Sequence, residues 1–386
     1  MKASMYNMEL DIEPEMSRNN DRQSFDPLKT PYEVDEQAFP LYDTVQEQFL
    51  FLLRYAILAP SSHNTQPWKF RPTGDGVAVY ADYSRRLPVV DPGNRELIMG
   101  VGAAIMNLRI AAAHFGFVCR VEYNQTGDSA KPMAFVRLSR SSSTPSPADR
   151  KLALLFPAIV KRHTNRNPFL MARIPEQVAA TVKEQAASEM AAIFISKDGA
   201  LNQKVADLVA EGDLIQQADP LYRKEMAEWI RPNYTRKADG MTGASLGFNN
   251  LVSAINPWAT KRFDLGRLKA AKDRNLCLEA PGLIVLYSED SLLHWVEVGE
   301  LLERVLLTLT KNSVQFSFFN MLIEIPDLRT KLRSLLKLSA WPQLMLRIGY
   351  CLTEPALSPR RPQEEILISD MMSGNPLAST RERLLE

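Results

Sequence analysis

Cysteine, histidine and net charge are all scarce in this chain. Its 386 residues include three cysteines, Cys119, Cys277 and Cys351, none in C-x-x-C spacing. An odd, scattered set argues against a disulfide framework and for buried free thiols. The four histidines, His63, His114, His163 and His294, form no H-E-x-x-H and no ligand spacing with cysteine, so no metal site is expected. With 46 basic against 45 acidic residues the net charge is +1, which gives no global reason to expect nucleic acid or a membrane as partner. There is no run of about 18 uncharged apolar residues, the length a bilayer-spanning helix needs. The opening MKASMYNMELDIEPEM is acidic and lacks the apolar centre of a signal peptide, so the expected location is cytoplasmic.

What remains is ordinary globular composition, 45% hydrophobic and 24% charged, enough for two modest domains or one large one. Residues 1–40 are polar and proline-dotted and read as an N-terminal arm. An apolar helix over 45–58 stops at Pro60, and short strands follow over 68–71 and 77–82. A long helix from Arg95 ends before Gly116, and strands follow near 118–124 and 133–139. SSSTPSPA, 141–148, is the best linker. Beyond it the pattern predicts helices over 149–160, 174–188 and 201–228, a strand near 192–196, and a less regular Gly- and basic-rich stretch to about 275. A buried strand at LIVLY and a long helix from Trp295 complete the second half. Placing Gly102 on Gly299 sets Ile105, Leu108, Ile110 and Ala112 on Leu302, Val305, Leu307 and Leu309. Periodicity alone leaves this repeat open.

Several motifs have a bland reading. Gly100-Val101-Gly102 lacks the third glycine of a dinucleotide fingerprint, since Ile105 stands there, and reads better as a closely packed helix start than as the site of a nicotinamide dehydrogenase. KRFDLGRLKAAKDR, 261–274, reads as a solvated helix face rather than a nucleic-acid contact. RHTNR is different. In an extended backbone Arg162, Thr164 and Arg166 point the same way, and two guanidiniums flanking a hydroxyl suit a phosphate monoester. On chemistry alone a surface salt-bridge cluster is an equal reading.

APSSHNTQPW at 59–68 and RHTNRNPF at 162–169, taken together, resemble the nitroreductase superfamily of FMN proteins. DPGNREL, PQLMLRIGY and SPRRPQEE agree with it, and the double-length chain is similar to the Acg-like branch of fused pseudo-dimers. The resemblance implies an α+β fold: two tandem nitroreductase-like half-domains forming a pseudo-dimer, with mixed sheets flanked by helices. The halves are expected at 41–148 and 149–357, with a lid near 229–247 and a C-terminal arm, 358–386, whose strand around 364–369 returns to the first half. Only one half carries the serine-rich turn and only the other carries the phosphate motif, so one FMN site per chain is implied.

Carried over from the family, Arg162, Thr164, Arg166 and Arg360 would hold the FMN phosphate. Pro60, Ser61, Ser62 and Asn64 would line the ribityl chain and ring, and the backbone about Phe318, Phe319 and Asn320 would approach the flavin N5. Gln66 and Pro67 would fix the turn, and Trp68 would anchor the core. No catalytic side chain is assigned, because flavin carries the redox chemistry. The implied activity passes electrons from NADH or NADPH through FMN to a small acceptor, in a chain that is monomeric because it is already fused. The alternative is a protein that stores or sequesters FMN beneath the lid.

Overall fold

The computed structural model describes residues 25–368, apart from 125, 129, 141–145 and 187–189. Most of the N-terminal arm, most of the 141–148 linker and the chain from 369 onward lie outside the described residues.

In the first unit, α1 (Val45–Ala56) precedes the hairpin β1 (Trp68–Pro72) and β2 (Gly76–Ala81); α2 (Arg95–His114), β3 (Phe117–Tyr123), β4 (Ala134–Arg140) and α3 (Pro147–Ala153) follow. Thr44 starts α1 through a reciprocal capping box with Glu47, and its apolar face enters the core through Phe49, Leu52 and Leu53. The helix expected over 149–160 is shorter, and a separate turn of 3-10 helix carries Pro157.

The second unit opens with α4 (Glu176–Lys183) and β5 (Ala192–Ser196). Then comes an insertion: α5 (Gly199–Ala218), α6 (Pro220–Trp229), β6 (Ile230–Arg231), β7 (Met241–Thr242), α7 (Asn250–Arg262) and α8 (Gly266–Leu278). The unit resumes with β8 (Gly282–Ser288), α9 (Leu292–Lys311), β9 (Gln315–Phe318), α10 (Met321–Glu324), α11 (Pro326–Leu336), β10 (Trp341–Gly349) and α12 (Gln363–Ile366). The helix expected over 201–228 is two helices. Asp219 caps the second by accepting from Leu221 N at 2.8 Å, and Pro220 takes its first turn. The stretch expected to be irregular holds α7 and α8; Pro257 inside α7 and an unusual distribution of polar residues hid them.

Strand order shows the repeat. The first sheet runs β1-β2-β4-β3 and the second β5-β8-β10-β9, and every neighbouring pair is antiparallel. Each sheet is two strands, a 20-residue helix and two more strands; the insertion replaces the short β1–β2 turn. Parallel pairing among the described residues lies outside these two sheets' ladders: in the two-residue pair β6–β7, and in the bridge of Leu367 beside Phe70, with Ile368 N donating to Phe70 O at 2.8 Å. The segment around 364–369 is therefore a helical turn and a bridge, not a strand.

The long helices α2 and α9 cross where the repeat puts glycine. A Cβ on Gly102 would lie 2.3 Å from Val296 O, and one on Gly299 would lie 2.0 Å from Met99 O. The spacing from Gly102 to Gly299 equals that from Met99 to Val296, so the contact is reciprocal about a pseudo-twofold axis. This makes Gly102 a close-packing residue, as its sequence context suggested. By length and composition α2 could cross a membrane, but it is buried at the centre of this core.

Candidate cofactor site

The 59–68 turn is held in a conformation that most side chains avoid. His63, Asn64 and Gln66 all have positive φ, at 50°, 55° and 52°. Non-glycine residues stay there only when their surroundings hold them, and such strain gathers at functional sites. The holding groups are visible. Ser61 Oγ accepts from Gln66 N at 2.8 Å, and Gln66 Oε1 accepts from Arg361 N at 2.9 Å. Asn64 Nδ2 donates to Gly240 O at 3.0 Å and Pro359 O at 2.9 Å, while its Oδ1 accepts from Arg360 Nη1 at 3.1 Å. Gln66 Nε2 also donates to Ala238 O at 2.8 Å. The turn thus clasps the 229–247 segment and the C-terminal arm. Trp68 is fully buried in the first core.

RHTNR runs along the edge of β9, where Asn165 N donates to Phe316 O at 2.9 Å. Asn165 turns its amide away to Thr353 O, 2.8 Å, and Arg162, Thr164 and Arg166 reach a cavity of about 450 Å³. All ten residues expected at the site line that cavity: Pro60, Ser61, Ser62, Asn64, Arg162, Thr164, Arg166, Phe319, Asn320 and Arg360. It lies between the units, with the turn on one side and RHTNR on the other.

The arginines are not equivalent. Arg162 is buried, donates to Leu58 O at 2.8 Å, and has Glu303 for a countercharge, Nε to Oε1 3.5 Å. Arg360 donates to the same Leu58 O at 3.1 Å. Arg166 donates to Ser245 O, 3.0 Å, in the insertion. Arg347 was missed in the sequence. It is 1% exposed, lines the cavity, and lies over the Phe169 ring at 4.0 Å. Arg347 Nε and Nη1, Arg360 Nε, Arg162 Nε and His163 Nδ1 are buried without hydrogen-bond partners. Burial, then Arg162 and Arg360, push His163 down to about 3, so it is neutral at neutral pH.

Acidic groups gather elsewhere on the wall, and sequence reasoning missed these also. Glu96 accepts from Ser62 Oγ and from Asn320 Nδ2 at 3.4 Å. Burial pushes Glu96 up to about 7 against the pull of Arg95. Burial, and then the charge of Glu96, hold Glu324 well above the usual carboxylate range. Glu303, behind Arg162 rather than on the cavity wall, is pushed up to about 7 by burial despite Arg162. No sequence pattern joins these three; α2, α9 and α10 bring them in from separate places. No group of His, Cys, Asp or Glu among the described residues could hold a metal.

Glu96 has a pH consequence. A carboxyl whose folded pKa is raised binds its proton more tightly when folded, so its stabilising effect is greatest below the unfolded value. That effect fades as pH rises from about 4.5 to about 7. Glu96→Gln is therefore expected to flatten the pH dependence across this window. It should raise stability at pH 8 relative to wild type by roughly 3 kcal/mol, at about 1.36 kcal/mol per pKa unit. Denaturant unfolding at pH 5 and pH 8 checks this; parallel curves for the two proteins would rule it out.

These features define a two-unit α+β protein with one composite, arginine-rich cavity. No protein-family model matches the chain. It is 27% identical over 326 residues to the putative NAD(P)H nitroreductase acg of Mycobacterium tuberculosis, across 81% of this chain and 93% of that protein. It is 26% identical over 357 residues to the probable NAD(P)H nitroreductase PigM of a Serratia species, across 86% and 97%. These relatives bear out the resemblance read from the two motifs. Among solved structures, the FMN-dependent nitroreductase NfnB of Mycobacterium smegmatis in complex with NADPH aligns at 15% identity with a TM-score of 0.38. That alignment spans 55% of this chain and 97% of that one.

Proposed function

We propose that the chain is an FMN-dependent oxidoreductase that takes electrons from NADH or NADPH and passes them to a small acceptor. The observation that carries this is the set of buried guanidinium N–H groups left without partners on the wall shared by RHTNR and the C-terminal arm. An orphaned buried donor is costly, and a phosphate oxygen is the acceptor that suits a guanidinium best. Arg166, Arg360 and Arg347 would hold the phosphate, with Thr164 adding a neutral donor. Arg162 would stand behind them, its charge partly met by Glu303. Pro60, Ser61 and Ser62 would meet the ribityl chain and ring, with Phe319 and Asn320 opposite. Asn64, whose amide already serves Arg360, Gly240 and Pro359, would fix the turn.

Bound FMN supplies the hydride and single-electron chemistry. The chain's own residues position and protonate. Glu96 holds a proton at a carboxyl oxygen beside Ser62 and Asn320, and with a pKa about 7 it can release or regain it near neutral pH. The insertion walls the cavity through Met241, Ser245 and Phe248, which limits water. A sequestering role is the second reading; the clasp of the insertion on the 59–68 turn favours it. Reduction of bound flavin by NADPH separates the two.

One FMN per chain is expected. The serine-rich turn with Asn64 occurs once, in the first unit, and RHTNR occurs once, ahead of the second. Flavin extracted from the loaded protein should match protein one to one. A ratio near two would reveal a second clamp.

A further inference from the structure

Helix α7 is inside out. Its buried residues are Ser253 and Thr260, and Asn256 between them lines the cavity, with Thr260 Oγ1 donating to Asn256 Oδ1 at 3.2 Å. The opposite stripe is apolar and exposed: Leu251 74%, Ile255 50% and Trp258 61%. These positions fall on one helical face. A helix folded for water alone would reverse this arrangement.

The exposed surface continues beyond α7. Trp258 meets Phe263 edge-on, ring centroids 5.4 Å apart, and Phe263 leads to Leu265 and to Leu268, which is 72% exposed. The backbone of α5 passes alongside, bringing exposed Leu214 next to Gly266. Leu265 and Leu268 also line the cavity, so the apolar surface and the cavity mouth share residues. Around it stand exposed Lys261, Arg262, Arg267 and Lys272, none in an ion pair among the described residues. Within residues 261–272 the one carboxylate is Asp264, which accepts from Gly266 N.

We propose that the α7–α8 face docks on an anionic lipid bilayer, with the cavity mouth turned toward the lipid. Aromatic and leucine side chains beside unpaired Lys and Arg are the chemistry of an interfacial helix: apolar groups enter the acyl boundary while cations meet the headgroups. A protein partner could cover the apolar stripe, but four exposed cations without ion pairs, set against Asp264 alone within residues 261–272, are the complement of an anionic surface. The net charge of +1 averages this local patch away, which is why composition gave no hint of a membrane. The proposal stands apart from the FMN reading, since it needs no ligand in the cavity.

The test is co-sedimentation of the full-length protein with vesicles of phosphatidylcholine, alone or mixed with phosphatidylglycerol. Binding at low salt should favour the anionic vesicles by about tenfold or more and weaken in high salt. Trp258→Ser with Phe263→Ser, both exposed, should abolish pelleting while far-UV circular dichroism is unchanged. Lys261→Glu with Arg262→Glu should weaken it and provides the answer if the first variant misfolds. No pelleting with anionic vesicles would overturn the proposal, as would pelleting that both variants leave unchanged. A dimer in light scattering that Trp258→Ser dissolves would overturn it too, assigning the face to a second copy of the chain.

Discussion

Replacing Arg166 with alanine is expected to weaken FMN binding roughly 10- to 150-fold, the equivalent of about 1.5–3 kcal/mol for a hydrogen bond to a charged group. Riboflavin affinity should barely change, because riboflavin lacks the phosphate. Arg166→Lys should cost less than alanine, since it keeps the charge and loses the bidentate fork. Arg166 suits this test because among the described residues it has no carboxylate in an ion pair, and its hydrogen bond to an oxygen is to the carbonyl of Ser245. Arg162 suits it poorly: without it buried Glu303 would lose its paired countercharge, and lost folding would mimic lost binding. Competition titration of FMN and riboflavin reads the contrast directly. Equal losses for both ligands would mean that RHTNR is structural and the phosphate lies elsewhere.

The second large effect is expected at the crossing of α2 and α9. Gly299→Val should lower folding stability by about 3 kcal/mol or more, or prevent folding, because the new side chain meets backbone that cannot swing aside. Its Cβ would start 2.0 Å from Met99 O, with Met99 C at 2.8 Å. Gly102→Val should behave alike, since Val296 O lies 2.3 Å from its Cβ. Gly199→Ala is the control: it opens α5 with nothing within 4 Å, so its denaturation midpoint should stay level or rise. A Gly299→Val protein as stable as wild type would mean that the helices do not cross this closely.

Much of this was legible in the sequence because local signals agreed with the fold. Thr44 and Glu47 mark the start of α1, Gly116 marks the end of α2, and the glycine-to-glycine spacing marks the repeat. Arg162, Thr164 and Arg166, which the alternation in RHTNR put together, all line the cavity, but so does His163 between them, which the alternation would have turned away. Legibility failed where tertiary context overrode local pattern. Helix α7 hides its hydroxyls and shows its indole, so a reading that expects apolar residues inside finds no helix. Asp219-Pro220 sits within a continuous amphipathic stretch, and only its capping geometry reveals two helices. Arg347, Glu96, Glu303 and Glu324 belong to no motif; each looks ordinary until four separate elements bring them together.

Anaerobic titration of the FMN-loaded protein with NADPH and NADH, followed by flavin absorbance, tests the central claim most directly. The account predicts that at least one nicotinamide bleaches the flavin fully, at one equivalent per bound FMN, and that an added acceptor restores the oxidised spectrum. Flavin that binds tightly yet stays oxidised under excess of both nicotinamides would contradict it. The cavity would then be a place of storage rather than of electron transfer.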